Sequence, residues 1–136
     1  MCTFQTNENS CLRCLYDHDS SCIFHVPIKQ VVENCTQLKE LSVFGTKLCE
    51  TSVSILVSNL TSKIEKLSLF DTSLLRDEHI KMLVTRCNKI KELNLCGQIS
   101  ITRLLLNYIM EHLQLTLEKL NLQFSNVVFE IYHNCG

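Results

Sequence analysis

The chain has 136 residues, 46% of them hydrophobic and 20% charged, with a formal net charge of −1. That length suits one domain with an ordinary core, and near-neutrality supplies no global field to draw nucleic acid or an anionic membrane. No apolar run approaches the roughly 20 residues needed to span a bilayer, and the first ten residues carry neither a basic n-region nor an apolar h-region. These features point to an intracellular protein, in cytoplasm or nucleus. Its nine cysteines, an odd number, are then expected as thiols and not as bridges. The two Asn-x-Thr sequences, Asn34-Cys35-Thr36 and Asn59-Leu60-Thr61, are expected to be coincidental glycosylation matches.

Taken in order, residues 1–10 are polar and read as a loose start. Residues 11–25 admit two readings. Cys11 and Cys14 form a C-x-x-C followed closely by His18, Cys22 and His25, and thiolates with imidazoles at close spacing can close a tetrahedral zinc site. Alternatively the segment is a worn repeat, because Leu12 and Leu15 stand 26 residues before Leu38 and Leu41. The ligand spacing matches no familiar zinc module, and structural thiols with surface histidines are the commoner outcome, so no metal or other cofactor is expected.

From residue 26 onward the chain repeats itself. Leu38-Lys-Glu-Leu-Ser-Val43, Ile64-Glu-Lys-Leu-Ser-Leu69, Ile90-Lys-Glu-Leu-Asn-Leu95 and Leu117-Glu-Lys-Leu-Asn-Leu122 share the form apolar-x-x-Leu-x-apolar, at steps of 26, 26 and 27. Between them lie helical patterns. Pro27 to Asn34 suits a first helix, with Ile28, Val31, Val32 and Cys35 on one face. Glu50 or Thr51 is placed to cap a helix carrying Val53, Leu56, Val57 and Leu60, and Asp77 one carrying Ile80, Leu83 and Cys87. Ser100 is placed to cap a last helix with Leu105, Leu106, Ile109, Met110 and Leu113. Four anchors, Ile28, Val31, Cys35 and Leu38, recur 52 residues later as Ile80, Leu83, Cys87 and Ile90.

Such a period is the mark of a leucine-rich repeat. The expected fold is α/β: a solenoid of about four to five repeats over residues 26–136, preceded by a segment or degenerate first repeat at 1–25. A short parallel sheet would line the concave face and helices the convex one. Leu41 and Val43, Leu67 and Leu69, Leu93 and Leu95, and Leu120 and Leu122 are its expected core.

The motif L-x-x-L-x-L, a loop, a short helix and then Cys35 or Cys87 shortly before the next leucine resembles the cysteine-containing leucine-rich repeat of F-box proteins, over about residues 26–126. Leu60 and Leu113 take the cysteine's place in the other repeats. Where that family favours Asn or Cys after the last strand leucine, this chain has Thr46, Thr72, Gln98 and Ser125. The resemblance implies repeats that hold a protein partner such as a ubiquitination substrate. In that family an F-box docks on S-phase kinase-associated protein 1, the adaptor of a cullin ubiquitin ligase. No Leu-Pro-rich F-box start is found in residues 1–25, so adaptor binding is not expected.

Residues between the buried leucines face the open side. The column Glu40, Lys66, Glu92, Lys119 alternates in sign, as does Lys39, Glu65, Lys91, Glu118 in opposite phase. Both read as mutually neutralising surface that sets register between repeats. The next column, Ser42, Ser68, Asn94 and Asn121, is small and polar. The last is Phe44, Phe70, Cys96 and Gln123. Its two phenylalanines are either partner anchors or rings folded over the strand ends. These eight residues of the last two columns form the candidate partner site. No catalytic residue is expected, because His79 and His112 fall on predicted helices away from Cys96, and no Gly-rich phosphate loop exists. A non-catalytic interaction module is therefore expected; the alternatives are a small zinc protein built on 11–25 and a truncated fragment with no independent role.

Overall fold

Every apolar-x-x-Leu-x-apolar echo becomes a short strand, and the computed structural model describes residues 3–6, 11–15, 29, 32–43, 49–69 and 74–125. The strands are β1 (Thr3–Thr6), β2 (Cys11–Leu15), β3 (Glu40–Val43), β4 (Lys66–Leu69), β5 (Glu92–Asn94) and β6 (Lys119–Asn121). The helices are α1 (Glu50–Asn59), α2 (Asp77–Arg86) and α3 (Arg103–Leu113), and residues 32–34 are also helical. One sheet takes the strands in chain order, with β1 antiparallel to β2 and β2 to β6 parallel. A parallel pair needs a crossover, and here a helix supplies it after each of β3, β4 and β5.

Register follows the sequence period. Leu41 pairs with Leu67, Leu67 with Leu93 and Leu93 with Leu120. One carbonyl at each strand entry accepts two amides from the next unit: Lys39 O from the Glu65 and Lys66 N–H, Glu65 O from those of Lys91 and Glu92, and Lys91 O from those of Glu118 and Lys119. Two N-terminal expectations are corrected. Thr3–Thr6 is a strand, not a loose start, since it completes an antiparallel ladder with β2. Leu12, not Leu15, stands opposite Leu41. The unit from β2 to β3 is 29 residues long by this pairing, so the 26-residue register does not extend back to β2.

The core lies between the sheet and the helices. Leu41, Val43, Leu67, Leu69, Leu93 and Leu95 join Val53, Leu56, Val57, Ile80, Leu83, Val84, Leu105 and Ile109 in one buried cluster. Alternation along each strand sends these leucines to the helix side and leaves residues 40, 42, 66, 68, 92 and 94 partly or fully exposed on the other. Two core expectations are narrowed. Leu120 and Leu122 are only half-buried, because β6 has a described neighbour on one side alone. Met110 is exposed and Leu106 intermediate, so α3 buries the narrower stripe of Leu105, Ile109 and Leu113.

The helix caps also differ from expectation. The N-caps are Cys49, Arg76 and Thr102, not Glu50 or Thr51, Asp77 and Ser100. Asp77 spends its carboxylate one unit later, where it accepts from the Thr102 N–H at 2.8 Å and from the Thr102 hydroxyl. His79 Nδ1 accepts the Arg76 N–H at 3.0 Å. Arg86 donates through both terminal nitrogens to the Val57 and Leu60 carbonyls at the C-terminal end of α1. A cation there meets the negative end of the helix dipole.

Side chains tie each unit to the one before it. Cys87 is buried and its thiol donates to Thr61 O at 3.5 Å. Thr61 Oγ1 donates in turn to Thr36 O at 3.0 Å. Leu60 thus fills the volume that Cys87 fills in the next unit, while Thr61 supplies the hydrogen bond. Gln98 is fully buried and donates from Nε2 to Leu69 O at 2.6 Å. It stands just after β5 and bonds back to the preceding strand end. The turns after β5 and β6 match as well: Gln98 N–H bonds Leu95 O, and Ser125 N–H bonds Leu122 O. Gly97 has φ 77 in the first turn and Phe124 φ 56 in the second, a region that favours glycine.

Candidate functional site

The open face of the sheet is built by alternation. Each strand that sends its leucines to the core must send the residues between them to solvent. Strand pairing then aligns those residues in rows. Glu40 stands opposite Lys66, Lys66 opposite Glu92, and Glu92 opposite Lys119. Lys66 Nζ lies 3.3 Å from Glu40 and 4.0 Å from Glu92, and Lys119 Nζ 3.3 Å from Glu92. In the preceding column Lys91 Nζ lies 3.3 Å from Glu65. The alternating charges therefore pair along the sheet, as their order in the sequence predicts. Each exposed pair contributes about 0.2–1 kcal/mol, and together they leave the face close to neutral.

The middle row runs Ser42, Ser68, Asn94, Asn121, each directly opposite the next. All four are intermediate in exposure. Asn94 Oδ1 accepts the Cys96 N–H at 3.0 Å, and Asn121 Oδ1 accepts the Gln123 N–H at 2.9 Å. Asparagine commonly folds its oxygen onto the backbone two residues on. Here that bond fixes which end of the amide points away from the strand, which the sequence alone could not reveal.

In the last row Cys96 is half-buried and Gln123 exposed. Phe44 and Phe70 lie outside the described residues. Among the described residues, large apolar side chains exposed in the turns after β5 and β6 include Ile99, 63% exposed, and Phe124, 82% exposed. Phe124 lies outside the aligned columns, which end at Gln123, so repeat spacing does not single it out.

The zinc reading involves residues in different positions. Cys11 and Cys14 lie in β2, while His18, Cys22 and His25 lie outside the described residues. Among the described residues no group of three or more His, Cys, Asp or Glu is placed to hold a metal. His79 and His112 sit on α2 and α3, as expected. His112 donates from Nδ1 to Tyr108 O at 3.0 Å and stacks on the Tyr108 ring at 4.1 Å. A cavity of about 290 Å³ on the helix side is lined in part by Glu50, Ser54, Arg76, Glu78 and His79. Its charges are mixed, and His79 Nδ1 is already engaged by the Arg76 N–H. Among the described residues, no helix is long and apolar enough to cross a membrane.

In comparisons with family models, curated proteins and solved structures, nothing matches the chain.

Proposed function

We propose that the chain is a leucine-rich-repeat solenoid acting as a non-catalytic protein-interaction module, with the open face of its sheet as the docking surface. The observation that carries this reading is the contrast between the two sides of the sheet. One side is closed by helices over a continuous apolar core. The other presents regular rows of polar side chains whose charges are already paired. A neutral, hydrogen-bonding surface spread across several strands suits another protein better than a small substrate, which needs an enclosed and largely apolar pocket.

The resemblance to F-box repeats makes the partner class a protein held for ubiquitination, with only the substrate-holding half of the family role carried over, in cytoplasm or nucleus. Candidate contacts are Ser42, Ser68, Asn94, Cys96, Asn121 and Gln123, joined by Phe44 and Phe70 from the sequence. The test is affinity capture from the source cells with three baits: the unaltered chain, Ser68→Trp on the open face, and Thr85→Trp on α2. The reading requires a protein retained by the first and third baits and lost from the second. Retention that survives Ser68→Trp but fails with Thr85→Trp would move the surface to the helices.

A further inference from the structure

The orientation of two amides says what chemistry the open face favours, an inference that rests on the reading of that face as a docking surface. Asn94 and Asn121 are direct partners across β5 and β6, in strands about 4.8 Å apart. Each has turned its oxygen onto its own backbone, toward the Cys96 and Gln123 N–H groups. What remains on each is an Nδ2 group with two N–H donors. No described residue accepts from either group. Glu92, two residues before Asn94, is ion-paired instead, with Oε1 at 3.3 Å from Lys119 Nζ and Oε2 at 4.0 Å from Lys66 Nζ. Lys119 is 77% exposed and precedes Asn121 by two residues, on the same side of the strand. Its ammonium has three donors, so one bond to Glu92 does not exhaust it.

The β5–β6 end of the open face is therefore rich in donors, with the Lys119–Glu92 ion pair at its margin. A carboxylate complements it. One carboxylate has two oxygens and about four lone-pair sites, enough to accept from both amides across the two strands while facing Lys119. Charge-assisted bonds of this kind are roughly twice as strong as neutral ones. A basic segment would find no acceptor in the two Nδ2 groups.

We propose that Asn94, Asn121 and Lys119 form a subsite for an aspartate or glutamate side chain, and that the partner presents an acidic segment to this end of the sheet.

The test uses the full chain labelled with nitrogen-15 and an acetylated peptide of alternating glycine and aspartate, with its glycine–lysine counterpart as control. The side-chain amide resonances of Asn94 and Asn121 should move saturably with the aspartate peptide and stay still with the lysine peptide. Asn94→Asp with Asn121→Asp keeps an oxygen to accept the same backbone N–H and removes the donors. It should weaken binding of the aspartate peptide more than tenfold while the backbone spectrum stays dispersed. Should that pair impair folding, Lys119→Gln alters only an exposed side chain, and it should weaken binding about three- to tenfold. Equal shifts with both peptides, or undiminished binding by the folded variants, would overturn the acidic subsite. Ser68→Trp separates the two levels of inference. If it blocks partner capture while the asparagine variants do not disturb the peptide, the open face stands and the acidic preference falls. If it changes neither, the docking face itself is wrong.

Discussion

Leu67→Ala should be among the most damaging single changes in the chain. Leu67 is 1% exposed and is paired on both sides, with Leu41 and with Leu93. The substitution deletes three carbons, a transfer loss of about 2.4 kcal/mol at roughly 0.8 kcal/mol per methylene. The hole opens beside Leu41 and Leu93, which the strand ladders hold in register so that collapse is limited. The cavity raises the cost to about 3–5 kcal/mol. Against a domain stability of about 5–15 kcal/mol this is a large fraction. In a chain of this size it should lower Tm by roughly 10–20 °C. Leu120 supplies the internal comparison. It holds the same position in β6 but is only half-buried, so Leu120→Ala should cost about half as much. Urea titrations followed by circular dichroism measure both, with the unaltered chain alongside. A Leu67→Ala cost below about 1 kcal/mol, or equal costs at the two positions, would refute the packing and register argued here.

Gln98→Ala removes a buried donor and leaves Leu69 O without its 2.6 Å partner, so it should cost about 1–3 kcal/mol in the same titration; a neutral result would mean the tie does not hold the units together. Burial pushes the Cys87 thiol above its ordinary value of 9.0, against a smaller opposing pull from Arg86. Its contribution to stability is therefore fully present below the unfolded-state value and is lost as pH rises through the raised folded one. Peptide mapping after iodoacetamide at pH 8 should find Cys87 alkylated last of Cys35, Cys49, Cys87 and Cys96, and early labelling would contradict the burial. Phe44→Ala with Phe70→Ala should weaken partner binding more than tenfold in a folded chain, whereas Lys66→Ala should change it by less than about 1 kcal/mol; full binding by the folded double variant would remove the aromatic anchors from the site. Residues 1–136 mixed with purified S-phase kinase-associated protein 1 should elute separately in gel filtration, and a stoichiometric complex would reveal a docking segment that the sequence reading missed.

Spacing in the sequence determined which residues align across the sheet. A side-chain period of two within each strand and a chain period of 26 to 27 between strands leave little freedom: Leu41, Leu67, Leu93 and Leu120 must share a face, and Glu40, Lys66, Glu92 and Lys119 must share the other. Helix positions were legible for the same reason, since Val53, Leu56 and Val57, or Ile80 and Leu83, recur at helical spacing. What spacing cannot carry is the choice a polar side chain makes among partners brought near by folding. Asp77 looked like a local cap and bonds Thr102 instead, 25 residues away. Gln98 carried no sequence signal for its bond to the strand end behind it. Arg86 gave no signal for its bonds to the end of α1. The asparagines of the open face were visible as polar residues, but the direction of their amides was decided only when the turns after β5 and β6 offered an N–H within reach. Apolar burial follows periodicity because it is non-directional and needs only a shared face; hydrogen bonds need distance and angle as well, and those exist only in the folded chain.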